Sequence, residues 1–95
     1  MAINRTDDEI LAAYLEGNKL KVLPSKRSKK LIVLRWLVQR FERGRRYPES
    51  NVNSMIAQSY PDYATLRREL CDNYLLDRAN GEYWRHEAAD TVTGP

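Results

Sequence analysis

The chain has 95 residues, which is enough for one domain with one modest core. Hydrophobic residues make up 42% and charged residues 31%, a globular balance, and no apolar run approaches the length of a membrane span. The net charge of +3 permits a nucleic-acid partner without demanding one, and the opening MAINRTDDE has no apolar signal region, so a cytoplasmic location is expected.

The first helix is expected to start at Thr6. Thr6 and Glu9 have the spacing of a capping box, and Asp7 and Asp8 put negative charge at the positive end of the dipole. Ile10, Leu11, Tyr14 and Leu15 make its apolar face, and Gly17-Asn18 reads as its stop. Leu20 to Leu23 alternates briefly and reads as a short extended piece ended by Pro24. Residues 1–24 thus form an N-terminal helix and extended segment.

Ser25 to Lys30, SKRSKK, is the densest basic run. Ser25 or Ser28 is placed to cap the next helix. Lys26, Arg27, Lys29 and Lys30 sit where cations oppose the helix dipole, which favours a phosphate-contacting arm over a merely solvated first turn.

Lys30 to Arg43 is the strongest helical pattern, ended by Gly44. Leu31, Leu34, Leu37, Val38 and Phe41 form one broad stripe, while Ile32 and Trp36 face together on the far side. A helix apolar on two sides needs covering on two sides, so the N-terminal helix is expected over Ile32 and Trp36. Arg45 to Tyr47 is a short extended piece. Pro48 opens a helix to about Ser59, with Val52, Met55 and Ile56 inward and Glu49, Ser50, Asn51 and Asn53 outward.

Asp62 to Asn73 is the presented helix. Asp62 is its N-cap, and Pro61 keeps Tyr60 out of helical geometry. Tyr63, Leu66, Leu70 and Tyr74 fall on one side; Thr65, Arg68, Glu69 and Asp72 fall on the other, with Arg67 near the apolar edge. Tyr74-Leu75-Leu76 reads as a strand, Asp77 to Gly81 as a turn around Asn80-Gly81, and Glu82 to Arg85 as the returning strand. Tyr83 and Trp84 point to opposite sides of it. Residues 86–95 lose periodicity and read as a disordered tail, with His86 solvated.

The expected fold class is α+β, mostly helical: a winged helix-turn-helix over residues 25–85 with an extra N-terminal helix. KVLPSKRSKKLIVLRWLVQRFERGRRY, DYATLRREL and LLDRANGEYWR resemble the prokaryotic family called domain of unknown function 2087. The resemblance covers roughly Leu20 to Arg85. Members occur alone or fused to helix-turn-helix regulators and have no settled biochemical activity. The resemblance therefore implies a winged-helix-like fold and a setting of transcription control, without a ligand. Asn73-Tyr74 stands where an aromatic residue followed by glycine is usual, so a left-handed cap at Asn73 and a shifted first wing strand are expected.

Chemistry-bearing clusters are sparse. One cysteine, Cys71, precludes an internal disulfide and fits a reducing compartment, and one histidine cannot complete a zinc site of the usual spacing. No glycine-rich phosphate loop is present. No enzyme, cofactor or metal is expected. Two functions remain. The leading one is binding of double-stranded DNA by a transcriptional regulator. Thr65 and Arg68 would then enter the major groove, and Arg45, Arg46, Ser50 and Asn51 would hold the backbone. Arg78, Asn80 and Arg85 would act as wing contacts, and Lys26, Arg27, Lys29 and Lys30 as the arm. The alternative is a protein partner docked on the spare faces of Trp36, Tyr83 and Trp84, favoured by the acidic Glu69 and Asp72 on the presented helix.

Overall fold

The computed structural model describes residues 5–87, with side chains from Asp7 onward. Helix α1 spans Arg5–Tyr14 with Asp7 and Asp8 in its first turn. Thr6 therefore lies inside the helix rather than capping it. Gly17-Asn18 is not the helix stop either. It is the turn of a two-residue hairpin joining β1, Leu15–Glu16, to β2, Lys19–Leu20. Gly17 takes φ 66°, and glycine adopts that left-handed conformation without a Cβ clash. The extended piece expected to Leu23 ends at Leu20 as a strand, although the Lys21 N–H still continues the hairpin register with a bond to the Tyr14 carbonyl at 2.8 Å.

Helix α2 spans Arg27–Val38. It starts earlier than Lys30 because the N–H groups of Lys29 and Lys30 both reach the Lys26 carbonyl. Lys26 is the cap residue without a side-chain bond, so neither Ser25 nor Ser28 caps. The helix also ends well before Arg43. The Phe41 N–H tightens onto the Val38 carbonyl, the Glu42 N–H donates to the Tyr47 hydroxyl at 2.8 Å, and the Phe41 carbonyl accepts from Arg85 at 3.1 Å. These distant partners satisfy backbone groups that a longer helix would have paired internally. Phe41 is still fully buried, edge-on to Tyr47 with ring centroids 5.2 Å apart.

α1 packs on α2, and Leu11 and Ile32 join one continuous core, with Ile10, Tyr14 and Trp36 against its edge. The second apolar side of α2 is covered as expected. The hairpin is tied to the rest by the Leu20 N–H, which reaches the Ser59 carbonyl at 2.9 Å. Ser59 itself is buried; its hydroxyl accepts from Arg40 and donates to the Asn18 carbonyl.

Strand β3, Arg46–Pro48, leads into α3, Glu49–Ala57, with Pro48 as the cap residue rather than the first helical one. α4 spans Tyr63–Asp72. Its cap is Asp62 as expected: the carboxylate accepts from the Thr65 N–H and the Thr65 hydroxyl. Leu66 and Leu70 are fully buried against Val52 and Ile56 in the shared core. Strands β4, Leu76–Ala79, and β5, Glu82–Arg85, complete an antiparallel sheet in the order β3-β5-β4. The wing turn is only Asn80-Gly81, both at positive φ, the geometry of a tight two-residue hairpin. Asp77, Arg78 and Ala79 are strand residues, not turn. The fold is α+β and mostly helical, a winged helix-turn-helix carrying an extra N-terminal helix.

The left-handed residue after α4 is Tyr74, at φ 61°, and not Asn73, at φ −100°. The Leu75 N–H reaches the Leu70 carbonyl at 2.9 Å and the Tyr74 N–H reaches Cys71 at 3.1 Å, a Schellman pairing. The expected one-residue shift does not occur. Tyr74 consequently faces solvent, outside the strand. His86 is not free either: its N–H reaches the Leu75 carbonyl, and its ring Nδ1 lies 2.9 Å from Asp77. The rest of the expected tail, 88–95, lies outside the described residues.

Candidate nucleic-acid interface

The expected contact residues fall into three places. The first is an open groove of about 570 Å³ between α4 and the wing, lined by Thr65, Arg67, Arg68, Cys71, Arg78 and Tyr83, with Ala64 and Asp72 at its edges. Thr65 and Arg68 come from the outward face of α4, because Leu66 and Leu70 claim the inward one. Arg78 comes from β4, where the Asn80-Gly81 turn fixes the register so that Arg78 pairs with Tyr83. Asn80 adjoins at the wing tip, in a smaller hollow that also includes Arg78.

Polar contacts fix the groove floor. Arg67 donates to Asn53 on α3 and pairs with Glu49 at 3.5 Å. Glu49 also accepts from the Tyr83 hydroxyl at 3.2 Å, and its N–H reaches the Gly81 carbonyl at 3.1 Å. One residue at the start of α3 thus joins α3, α4 and the wing. Contact with the Tyr83 hydroxyl raises the pKa of Arg78, so its charge is secure at any ordinary pH. The Cys71 thiol is pushed up, chiefly by burial; Arg78 and Arg67 pull against that shift.

The second place is the entrance to α3. Arg45 stacks on Tyr47 and pairs with Glu42, and it shares a hollow with Arg40 and Asn51. Arg46 stacks on Trp84 with its guanidinium 4.1 Å from the ring and reaches Glu82. Ser50 and Asn51 are exposed on the first turn.

The third place is the entrance to α2, which meets the far end of α4. Lys30 pairs with Glu69 at 3.2 Å and Arg27 reaches the Asn73 side chain at 3.3 Å. Lys26 is exposed and Lys29 half-buried. Two of the four arm residues are therefore engaged within the fold. The pairing also neutralises Glu69, one of the two acidic groups on the presented helix. Arg85 stands apart from the wing tip, at the base of β5, where it donates to the Phe41 carbonyl.

Of the aromatic groups, Tyr83 is core, and Trp36 and Trp84 are each covered by an arginine, Arg40 and Arg46. The exposed rings are Tyr63 and Tyr74. Among the described residues no helix is long and apolar enough to cross a membrane, and no three His, Cys, Asp or Glu side chains gather as a metal site. The Glu49–Arg67–Asn53 contacts and the Arg40–Ser59–Asn18 contacts were not foreseeable from local spacing, since each joins positions from different elements.

Residues 19–85 match the family model of domain of unknown function 2087, an uncharacterized protein conserved in bacteria. The chain belongs to this family. No curated protein and no solved structure matches it. The span shared with domain of unknown function 2087 runs from β2 to the end of β5, so it contains the whole winged helix and every candidate contact residue. α1 and β1 lie outside it.

Proposed function

We propose that this member of domain of unknown function 2087 binds double-stranded DNA, presenting α4 to the major groove and the β4–β5 wing beside it. One observation carries the reading: Thr65 and Arg68 from α4 and Arg78 from β4 line a single open groove. Helix and wing therefore offer Thr65, Arg68 and Arg78 to one approaching surface, with Asp72 the acidic residue among the groove's lining. Arg68 is exposed and serves no core, and its planar fork suits a guanine edge or a phosphate. Asn80 extends the surface at the wing tip. Arg45, Ser50 and Asn51 form a second, smaller polar patch suited to backbone contacts. A role in transcription control follows from this reading and the winged-helix fold.

The experiment is fluorescence anisotropy of a labelled random duplex over a salt series. Binding whose logarithm falls linearly with the logarithm of salt supports the reading. Arg68→Ala is expected to weaken binding while the fold is unchanged. No binding at low salt, or binding insensitive to salt, overturns it.

A further inference from the structure

The groove between α4 and the wing contains three guanidinium groups, yet DNA reading by the exposed face of α4 uses only Arg68. Arg67 is recessed, with its side chain 21% exposed, and Glu49 occupies it. Arg78 stands on the opposite wall, across Tyr83. The two arginines come from two elements and line one groove with Cys71, and both favour its thiolate.

We propose that Arg67, Arg68 and Arg78 form one phosphate seat on the groove floor, with Glu49 as an internal occupant that a phosphate displaces from Arg67. The ligand class is a phosphate or diphosphate oxyanion, supplied either by a nucleic-acid backbone or by a free phosphorylated small molecule. The chemistry fits on three counts. Guanidinium forks bind phosphate oxygens with two parallel bonds, which a carboxylate alone does not exploit fully when only one nitrogen is within reach. The Glu49–Arg67 distance of 3.5 Å is longer than a good charge-assisted bond, and the Glu49 side chain is half-exposed, so displacing it costs little. Arg67 stays anchored on Asn53 while the anion takes the place of Glu49, and Glu49 keeps a second partner, the Tyr83 hydroxyl. The groove volume of about 570 Å³ also admits a ligand of nucleotide size.

The proposal deepens the DNA reading where the phosphate is a backbone phosphate, and stands without it where the phosphate is free. The probe is inorganic pyrophosphate, and the reporter is alkylation of Cys71 by iodoacetamide, Cys71 being the sole cysteine. Bound pyrophosphate shields the sulfur and cancels the arginine charges that favour its thiolate, so alkylation slows severalfold. Arg78→Ala, at an exposed site, is expected to abolish this protection without affecting the fold. Glu49→Gln is expected to lower the pyrophosphate concentration that gives half protection. In the duplex salt series Glu49→Gln is expected to tighten binding while the log–log slope stays as in the parent, because the phosphate already contacts Arg67 there. Alkylation unaffected by millimolar pyrophosphate, or equal protection in the Arg78→Ala protein, overturns the seat. Duplex binding with no pyrophosphate effect refutes the seat and leaves the DNA reading standing; protection by pyrophosphate with no duplex binding does the reverse and assigns the seat to a free phosphate.

Discussion

Replacing Tyr74 by glycine should stabilise the protein. Tyr74 holds φ 61° after α4, and the residue is 73% exposed, so it contributes little burial in return. A left-handed conformation costs an L-residue with a Cβ about 1–2 kcal/mol. Glycine removes that strain but adds freedom to the unfolded chain, which costs about 0.4–1 kcal/mol. The midpoints of the two ranges leave a net gain of about 0.8 kcal/mol, and the two backbone bonds of the cap, Tyr74 to Cys71 and Leu75 to Leu70, stay in place. For a domain of this size that raises Tm by about 2–8 °C. Thermal unfolding followed by circular dichroism measures it. Tyr74→Ala is the control: it keeps the Cβ and the strain, so its Tm should stay near that of the parent. A Tm for Tyr74→Gly below the parent would mean that the tyrosine ring stabilises the fold by contacts stronger than the strain, and the reasoning would fail.

Arg68→Ala should shift stability by no more than about 0.5 kcal/mol in denaturant unfolding, yet weaken duplex binding by about 1–3 kcal/mol. Arg67→Ala should instead lose about 1–3 kcal/mol of stability, since Asn53 on α3 is left without its donor. Asp62→Ala removes the α4 cap and should cost about 1 kcal/mol, read as an earlier urea midpoint at unchanged slope. Cys71, whose pKa burial raises, should reach its half-maximal alkylation rate at a higher pH than the same thiol in urea-unfolded protein. By the same linkage, this group's contribution to stability is full below the ordinary thiol pKa and is lost as pH rises through the folded value.

The Asn80-Gly81 turn, the returning wing strand and the α4 cap were legible because their signals are local, whereas the first wing strand was placed too early. Asp62 needs only Thr65, three residues on, and Asn80-Gly81 needs only its own two positive φ angles. The end of α2 was not legible. Its apolar period continues to Phe41, but Tyr47 and Arg85 capture the backbone at Glu42 and Phe41, and both come from other strands. Gly17-Asn18 carries the same letters as a helix stop and as a hairpin turn. The pairing of Leu20 with Ser59, far along the chain, accompanies the hairpin outcome. Tyr74 shows a backbone demand overriding residue preference: the Schellman bonds fix the left-handed position, and the residue there must comply. In the candidate site, the outward placement of Thr65 and Arg68 was legible from helix phase, whereas Arg78, expected in the turn, stands in β4. The engagement of Lys30 by Glu69, and of Arg85 by Phe41, depends on how α2, α4 and β5 meet in space.

The central claim is that α4 and the wing form the duplex-binding surface. Titration of nitrogen-15-labelled protein with a short unlabelled duplex, followed by amide and guanidinium resonances, tests it most directly. Shifts are expected to concentrate at Thr65, Arg68, Arg78 and Asn80, with α1 unaffected. Shifts confined to α1 and the exposed Tyr74 region, or no shifts at low salt, would contradict it.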